Sequence, residues 1–342
     1  MKLSKKRILT CIAAASIPLF FACSDDKPSS PDVVGPDVPA SSAATLPEST
    51  DSQPDLSSSS VEGAVIIESS AAQDPLTVES SSATEVVPES SSALFREPTE
   101  EEIAQERIFT AASATNEFRD LPTVYKELDP TDKVAFVIRH AQREKSTGVE
   151  SQLTEKGIEQ SKTLGTYLVS EEPFSYGSTG FVRTRATAQY ISEGRGQEFP
   201  EPIVLPELVA STYIASQEKF DELKSAAGYD DEAFMYSRWS IDGDFTEAFN
   251  DFEKTGVQII TQAILPRMST ENRVNIFISH DMFIGPLVAF CTNREMKILR
   301  KHAKASEGCT NCTWISYLQG IAIIVKADGT RKYIPVSGNM MK

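Results

Sequence analysis

Two of the chain's three histidines stand at the ends of apolar runs. His140 follows Val134-Ala135-Phe136-Val137-Ile138-Arg139, and His280 follows Val274-Asn275-Ile276-Phe277-Ile278-Ser279. Arg139 and Arg143 flank the first histidine, and Arg183 lies in a later helix-forming stretch. Guanidinium forks match phosphate oxygens, and nearby positive charge favours the neutral imidazole, whose lone pair can attack phosphorus. Together such residues can carry phosphoryl transfer, with a histidine nucleophile, arginines that stabilise the transferring group, and an acid for the leaving alkoxide. Asp281, next to His280, is the nearest acid in the sequence.

The apolar runs that deliver the histidines read as strands buried on both faces, the usual state of a central parallel strand. Ligand crevices of open α/β sheets lie outside the carboxyl ends of the strands, which is where both histidines would sit. Residues 153–170 predict a helix that starts at Thr154 and Gly157, with Ile158, Leu164, Tyr167 and Leu168 on its buried face. A short strand follows at 174–178, and a glycine-containing turn leads to a helix that opens on Arg183 and Arg185. Two arginines at a helix start oppose the helix dipole, and an anion held there would account for them.

Residues 202–205 read as a weak strand leading to Pro206-Glu207-Leu208. Residues 215–268 read as mostly helical, with a long amphipathic stretch from Phe245 through Phe252, Val257, Ile260 and Ile264, and are expected to roof the pocket. A helix is expected after His280. Residues 314–318, 321–326 and 331–335 read as strands, with Asp328-Gly329 as a hairpin turn. The alternation defines an α/β class, a three-layer α/β/α sandwich with a mostly parallel central sheet.

Four motifs in order, Arg139-His140-Ala141, Leu153-Thr154-x-x-Gly157, Arg183-x-x-x-Thr187-Ala188 and Ser279-His280-Asp281, resemble the histidine phosphatase superfamily, also called phosphoglycerate-mutase-like. The resemblance spans residues 133–335. It implies a phosphohistidine intermediate on His140, with Arg139, Arg183 and His280 holding the phosphate, and no metal or other cofactor. Arg143 resembles the extra phosphate-binding arginine of the acid-phosphatase branch, and the His280-Asp281 pair resembles that branch's proton donor. The sequence departs from the pattern at Ala141, where Gly is usual, and at Glu144, where that branch often has Pro. In the mutase-like branch the acid is a Glu some two dozen residues after the helix arginine, and Glu207 stands at roughly that position. Asp281 and Glu207 therefore compete for the role, and Arg143 favours Asp281. The implied activity is hydrolysis of a small-molecule or protein phosphomonoester. The alternative is a catalytically silent module that binds a phosphorylated ligand, and a mutase fits an exported protein less well.

Simpler readings hold elsewhere. Arg185 reads as a solvated helix residue and His302 as a surface histidine. Ser279-His280-Asp281 is no serine-hydrolase triad, because adjacent residues of an extended chain point to opposite faces and no Gly-x-Ser-x-Gly elbow is present. Cys309 and Cys312 form a CxxC pair that reads as a disulfide or packed thiols. With Cys291 and His302 the pair could instead build a zinc site.

Lys2, Lys5, Lys6 and Arg7 precede an apolar core from Ile8 to Phe21, the layout of a secretory signal. The following Ala22-Cys23 resembles a bacterial lipoprotein signal, with Cys23 as the lipidated residue. Phe20 and Phe21 depart from that pattern and leave an uncleaved membrane anchor open. Residues 24–106 contain 18 acidic and two basic residues, a net charge of −16 that equals the value for the whole chain. The acidity thus belongs to a Ser-, Pro- and Ala-rich stretch that cannot bury enough apolar surface to order itself. There is no basic stripe for nucleic acid. The expected organisation is a signal at 1–23, a disordered linker at 24–107 and a phosphatase domain at 108–342. A tether of that length holds the domain on the order of 50 Å from a membrane, in a bacterial cell envelope.

Overall fold

The computed structural model describes residues 95–227, 232–299 and 313–339. The described residues all fall in the unit Ser81–Lys342. The signal, Cys23, most of the acidic stretch, His302, Cys309 and Cys312 lie outside the described residues.

Seven strands form one sheet in the order β1-β7-β6-β2-β5-β3-β4. They are β1 (Arg119–Asp120), β2 (Lys133–Arg139), β3 (Phe174–Ser178), β4 (Ile203–Val204), β5 (Val274–Ser279), β6 (Gln319–Val325) and β7 (Arg331–Ser337). Only β6 runs against the others, pairing antiparallel with both β2 and β7. β2 and β5 are parallel neighbours, with Arg139 level with Ser279. That register brings the next residues, His140 and His280, to the same edge of the sheet.

The continuous apolar runs are explained by helices on both faces, since a central strand with two covered faces has no solvent side. Alternate residues diverge: Ala135, Val137 and Phe277 enter one core, and Val134, Phe136, Ile138, Ile276 and Ile278 enter the other. The first core is shared with α1 (Glu100–Ala112), α6 (Glu232–Asp242), α7 (Phe252–Gln258) and α8 (Asp281–Cys291), and the second with α2 (Leu121–Lys126), α3 (Glu155–Tyr167) and α4 (Val182–Gly194). The remaining helix is α5 (Gln217–Ala227). The result is the expected three-layer sandwich with a mostly parallel sheet.

α3 begins where Thr154 caps it by accepting from Gly157 N–H. A Cβ at Gly157 would meet Gln142 O at 2.0 Å, so the loop that leaves His140 rests directly on the helix start. α3 and α4 approach through Gly165 and Gly194, where a Cβ would meet a backbone oxygen of the partner helix at 2.3 Å and 2.1 Å. This close packing moves the buried face of α3 to Gly157, Ser161, Leu164 and Gly165. Tyr167, expected on that face, is 47% exposed.

Other expectations also shift. Residue 108, the expected first residue of the domain, falls inside α1, which a Thr99–Glu102 capping box initiates. α1 docks through Glu106, buried at 1% exposure, which pairs with Arg331 and accepts from the Tyr333 hydroxyl. Arg96 N–H and C=O also bond to Gln262, so residues just before the helix belong to the fold. The amphipathic helix does not begin at Phe245, whose φ is 61°. It begins at Phe252, capped by Asp251, and continues through a π-helical segment, Ile259–Ile264. Residues 314–318 are not a strand. They form a connection in which Ile315 and Leu318 are buried. Among the described residues no helix is long and apolar enough to cross a membrane.

Candidate active site

His140 leaves the end of β2 with its backbone N–H bonded to Ser279 O at 3.0 Å. Its ring is 2% exposed, and Nδ1 lies 2.8 Å from Ala141 O. A carbonyl only accepts, so Nδ1 carries the proton and the Nε2 lone pair is left for chemistry. Burial, then the charges of Arg139 and Arg183 and the neighbouring His280, hold the imidazole well below its ordinary pKa. It is therefore neutral at physiological pH. Ala141 N–H bonds to Thr187 Oγ1 at 3.1 Å, which ties the loop to α4.

His280 caps α8 and faces His140 with ring centroids 5.5 Å apart. Nε2 lies 2.9 Å from Thr179 Oγ1, and Nδ1 lies 3.3 Å from an Arg183 terminal nitrogen. A guanidinium can only donate, so Nδ1 accepts and Nε2–H donates to the threonine. Burial first, then Arg183, pushes His280 down to about 3, against a smaller opposing effect of Asp281.

Arg183 is 6% exposed on α4. It also donates to Gly148 O at 2.8 Å, and its buried Nε has no hydrogen-bond partner among the described residues. Its pKa is lowered to about 10, chiefly by burial. The arginine whose position opposed the helix dipole is thus turned into the pocket, whereas Arg185 pairs at the surface with Glu201 at 2.6 Å. Arg139 donates to Ile315 O at 2.7 Å, stacks on Tyr317 at 4.4 Å, and pairs with Asp281 at 3.1 Å. Asp281 accepts in addition from Trp314 Nε1 at 3.1 Å and from Met282 N–H at 3.1 Å.

Arg139, His140, Arg183, His280 and Asp281 are therefore brought together. Arg143 is engaged differently. Its guanidinium donates to the carbonyls of Glu144, Lys145 and Ser146, binding the loop to itself. Its charge still reaches Arg183 and His280 and lowers both. Glu207, 8% exposed, pairs with Arg267 at 3.3 Å and makes no hydrogen bond or ion pair with the histidine pair. Its neighbour Leu208 accepts from Ser279 Oγ at 2.6 Å, so the backbone beside Glu207 does reach the strand end.

Sequence reasoning missed Thr179, Phe181, Trp314 and Tyr317. Thr179 follows β3, and the rule that ligands sit at carboxyl ends of parallel strands points to it. Phe181 stacks on Arg183 at 4.4 Å, and its ring centroid lies 4.8 Å from that of His280. Trp314 and Tyr317 carry no signal in the sequence, because they come from a connection that reads as a strand. Within residues 215–268, expected to roof the pocket, Phe220, Tyr236 and Trp239 lie in the core. Cys291 is buried in α8 without a disulfide, and burial pushes its thiol up. Among the described residues no group of three His, Cys, Asp or Glu is placed to hold a metal ion.

The model of the histidine phosphatase superfamily (branch 1) matches residues 135–321. The chain belongs to that superfamily. The match is to branch 1, whereas Arg143 and the His280-Asp281 pair had resembled the acid-phosphatase branch. No curated protein matches the chain. Among solved structures it is similar to a phosphoglycerate mutase from Bacillus anthracis str. Sterne, at 17% identity and a TM-score of 0.38, over 61% of this chain and 94% of that one. A phosphoserine phosphatase mutant from Entamoeba histolytica, in complex with phosphoserine, matches at 16% identity and 0.38, over 61% and 99%. A mycobacterial glucosyl-3-phosphoglycerate phosphatase matches at 13% identity and 0.37, over 60% and 99%.

Proposed function

We propose that this protein hydrolyses phosphomonoesters through a phosphohistidine on His140. The observation that carries the reading is the asymmetry of the histidine pair: His140 Nε2 bonds to no group among the described residues, while both nitrogens of His280 are engaged. Nε2 attacks phosphorus as the ester P–O bond breaks, and Arg139, Arg183 and His280 stabilise the equatorial oxygens. Arg183 Nε, buried and unpartnered, is a donor that a phosphate oxygen would satisfy. Water then attacks the phosphohistidine, the P–N bond breaks and inorganic phosphate leaves. Arg143 acts from the loop as a source of positive charge.

Asp281 is the general acid in this reading. Without substrate its carboxylate occupies Arg139. A phosphate dianion that takes the guanidinium leaves Asp281 facing a like charge, which favours its protonated form. The proton passes to the leaving alkoxide, and Asp281 recovers one from the attacking water. The branch 1 match favours a second reading, with Glu207 turning from Arg267 to supply the proton. The N-terminal sequence supports lipidation at Cys23 and a place on a bacterial envelope membrane, where a Cys23→Ser chain would lose membrane association.

Release of phosphate by the full chain from p-nitrophenyl phosphate and from a panel of sugar, inositol and protein phosphates tests the proposal. Turnover abolished in His140→Ala is expected. Binding of phosphate esters without turnover of any would establish the silent binding module instead.

A further inference from the structure

We infer that Phe181, Trp314 and Tyr317 form an aromatic collar that selects phosphomonoesters whose leaving alcohol carries an aromatic ring next to the ester oxygen. The inference rests on the phosphatase reading and names its substrate class. Each pocket arginine has its own ring: Tyr317 under Arg139 at 4.4 Å, and Phe181 under Arg183 at 4.4 Å. The same rings flank the histidines, with Tyr317 5.9 Å from His140 and Phe181 4.8 Å from His280, centroid to centroid. Trp314 adds a third ring, held by its Nε1–H bond to Asp281.

All three rings are half-buried, unlike Tyr213, Tyr236, Trp239 and Phe249, which pack against one another in the core. A ring buried in the core serves packing, but a half-buried ring beside the reacting groups offers its remaining apolar surface to whatever enters. The Tyr317 position also carries a conformational cost. The next residue, Leu318, has φ 58°, a left-handed backbone that is strained for a leucine. Leu318 N–H bonds to Arg139 O at 3.1 Å, and Gly338 N–H bonds to Leu318 O at 2.9 Å, and these bonds fix the turn. Strain kept beside a reactive site is a mark of a functional requirement.

The rings offer few hydrogen-bond partners for the hydroxyls of a sugar or polyol.

Phosphonates, which cannot be hydrolysed, test the collar separately from catalysis. Calorimetric titration of the full chain should show benzylphosphonate binding about tenfold more tightly than 2,3-dihydroxypropylphosphonate, the size of one or two aromatic contacts. Tyr317→Leu and Phe181→Leu should each reduce the ratio of the two affinities roughly threefold or more. Equal affinities in the wild type would overturn the collar, as would a parallel loss of both ligands in Phe181→Leu and Tyr317→Leu. Ring preference without turnover of any ester overturns hydrolysis alone. Turnover of esters without ring preference overturns the collar alone.

Discussion

The ends of β2 and β5 are built alike and work differently. Each is a largely apolar strand with a buried centre that delivers a histidine to the same edge of the sheet, and the two rings face each other at 5.5 Å. At the end of β2 one ring nitrogen is fixed by a backbone carbonyl and the other is left with its lone pair. At the end of β5 both nitrogens are taken, one by Thr179 and one by Arg183. Burial and arginine charge lower both imidazoles, so protonation does not distinguish them. In the proposed mechanism this difference in hydrogen bonding suits His140 to attack and His280 to bind and orient phosphate.

The largest expected effect follows from that division. His140→Ala should lose at least about 10⁴-fold in kcat, as a missing nucleophile does. His280→Ala should lose about 10²–10³-fold, the scale of one stabilising donor, and keep a measurable rate. Equal losses in steady-state assays of the two variants would erase the distinction. A smaller effect separates the acids: Asp281→Asn should slow alkyl esters about 10²-fold and aryl esters much less, with Glu207→Gln near wild type. The reverse ranking would move the proton to Glu207.

The smallest effect is on stability. His280 titrates at about 3 in the fold against an ordinary 6.5. Between those values the unfolded chain binds a proton that the folded chain does not, so this contribution is complete above pH 6.5 and lost as pH falls toward 3. Urea unfolding at pH 7 and pH 5 should show His280 costing the wild type up to about 2 kcal/mol. His280→Gln should show a shallower fall, and an unchanged slope would contradict the assigned protonation.

Most of this pocket was legible because strand ends are legible. Unbroken apolar runs with a polar stop marked β2 and β5, and the parallel sheet they imply put His140 and His280 at one edge. Arg183 was legible as a charge in the wrong place for its helix, and the structure turns it into the pocket. Arg143 shows the limit, since its spacing from His140 fits phosphate binding equally well whether the guanidinium faces the pocket or, as here, the carbonyls of its own loop. Glu207 shows the same limit, because its Arg267 partner lies 60 positions away in sequence. Tyr167 was misplaced because glycines, and not large apolar residues, set the α3–α4 contact. Residues 314–318 were misread because aromatic and β-branched Trp314, Ile315 and Tyr317 suit a strand, while the backbone turns through a positive φ at Leu318.

The central claim is that a covalent bond forms at one ring and not at the other. Rapid quenching in alkali during turnover of a phosphomonoester, followed by peptide mapping by mass spectrometry, reads it directly, because phosphohistidine survives base. The account predicts a phosphoryl group on His140 in the wild type and in His280→Ala, and none in His140→Ala. A phosphoryl group on His280, or turnover with no phosphorylated histidine at any time, would contradict it.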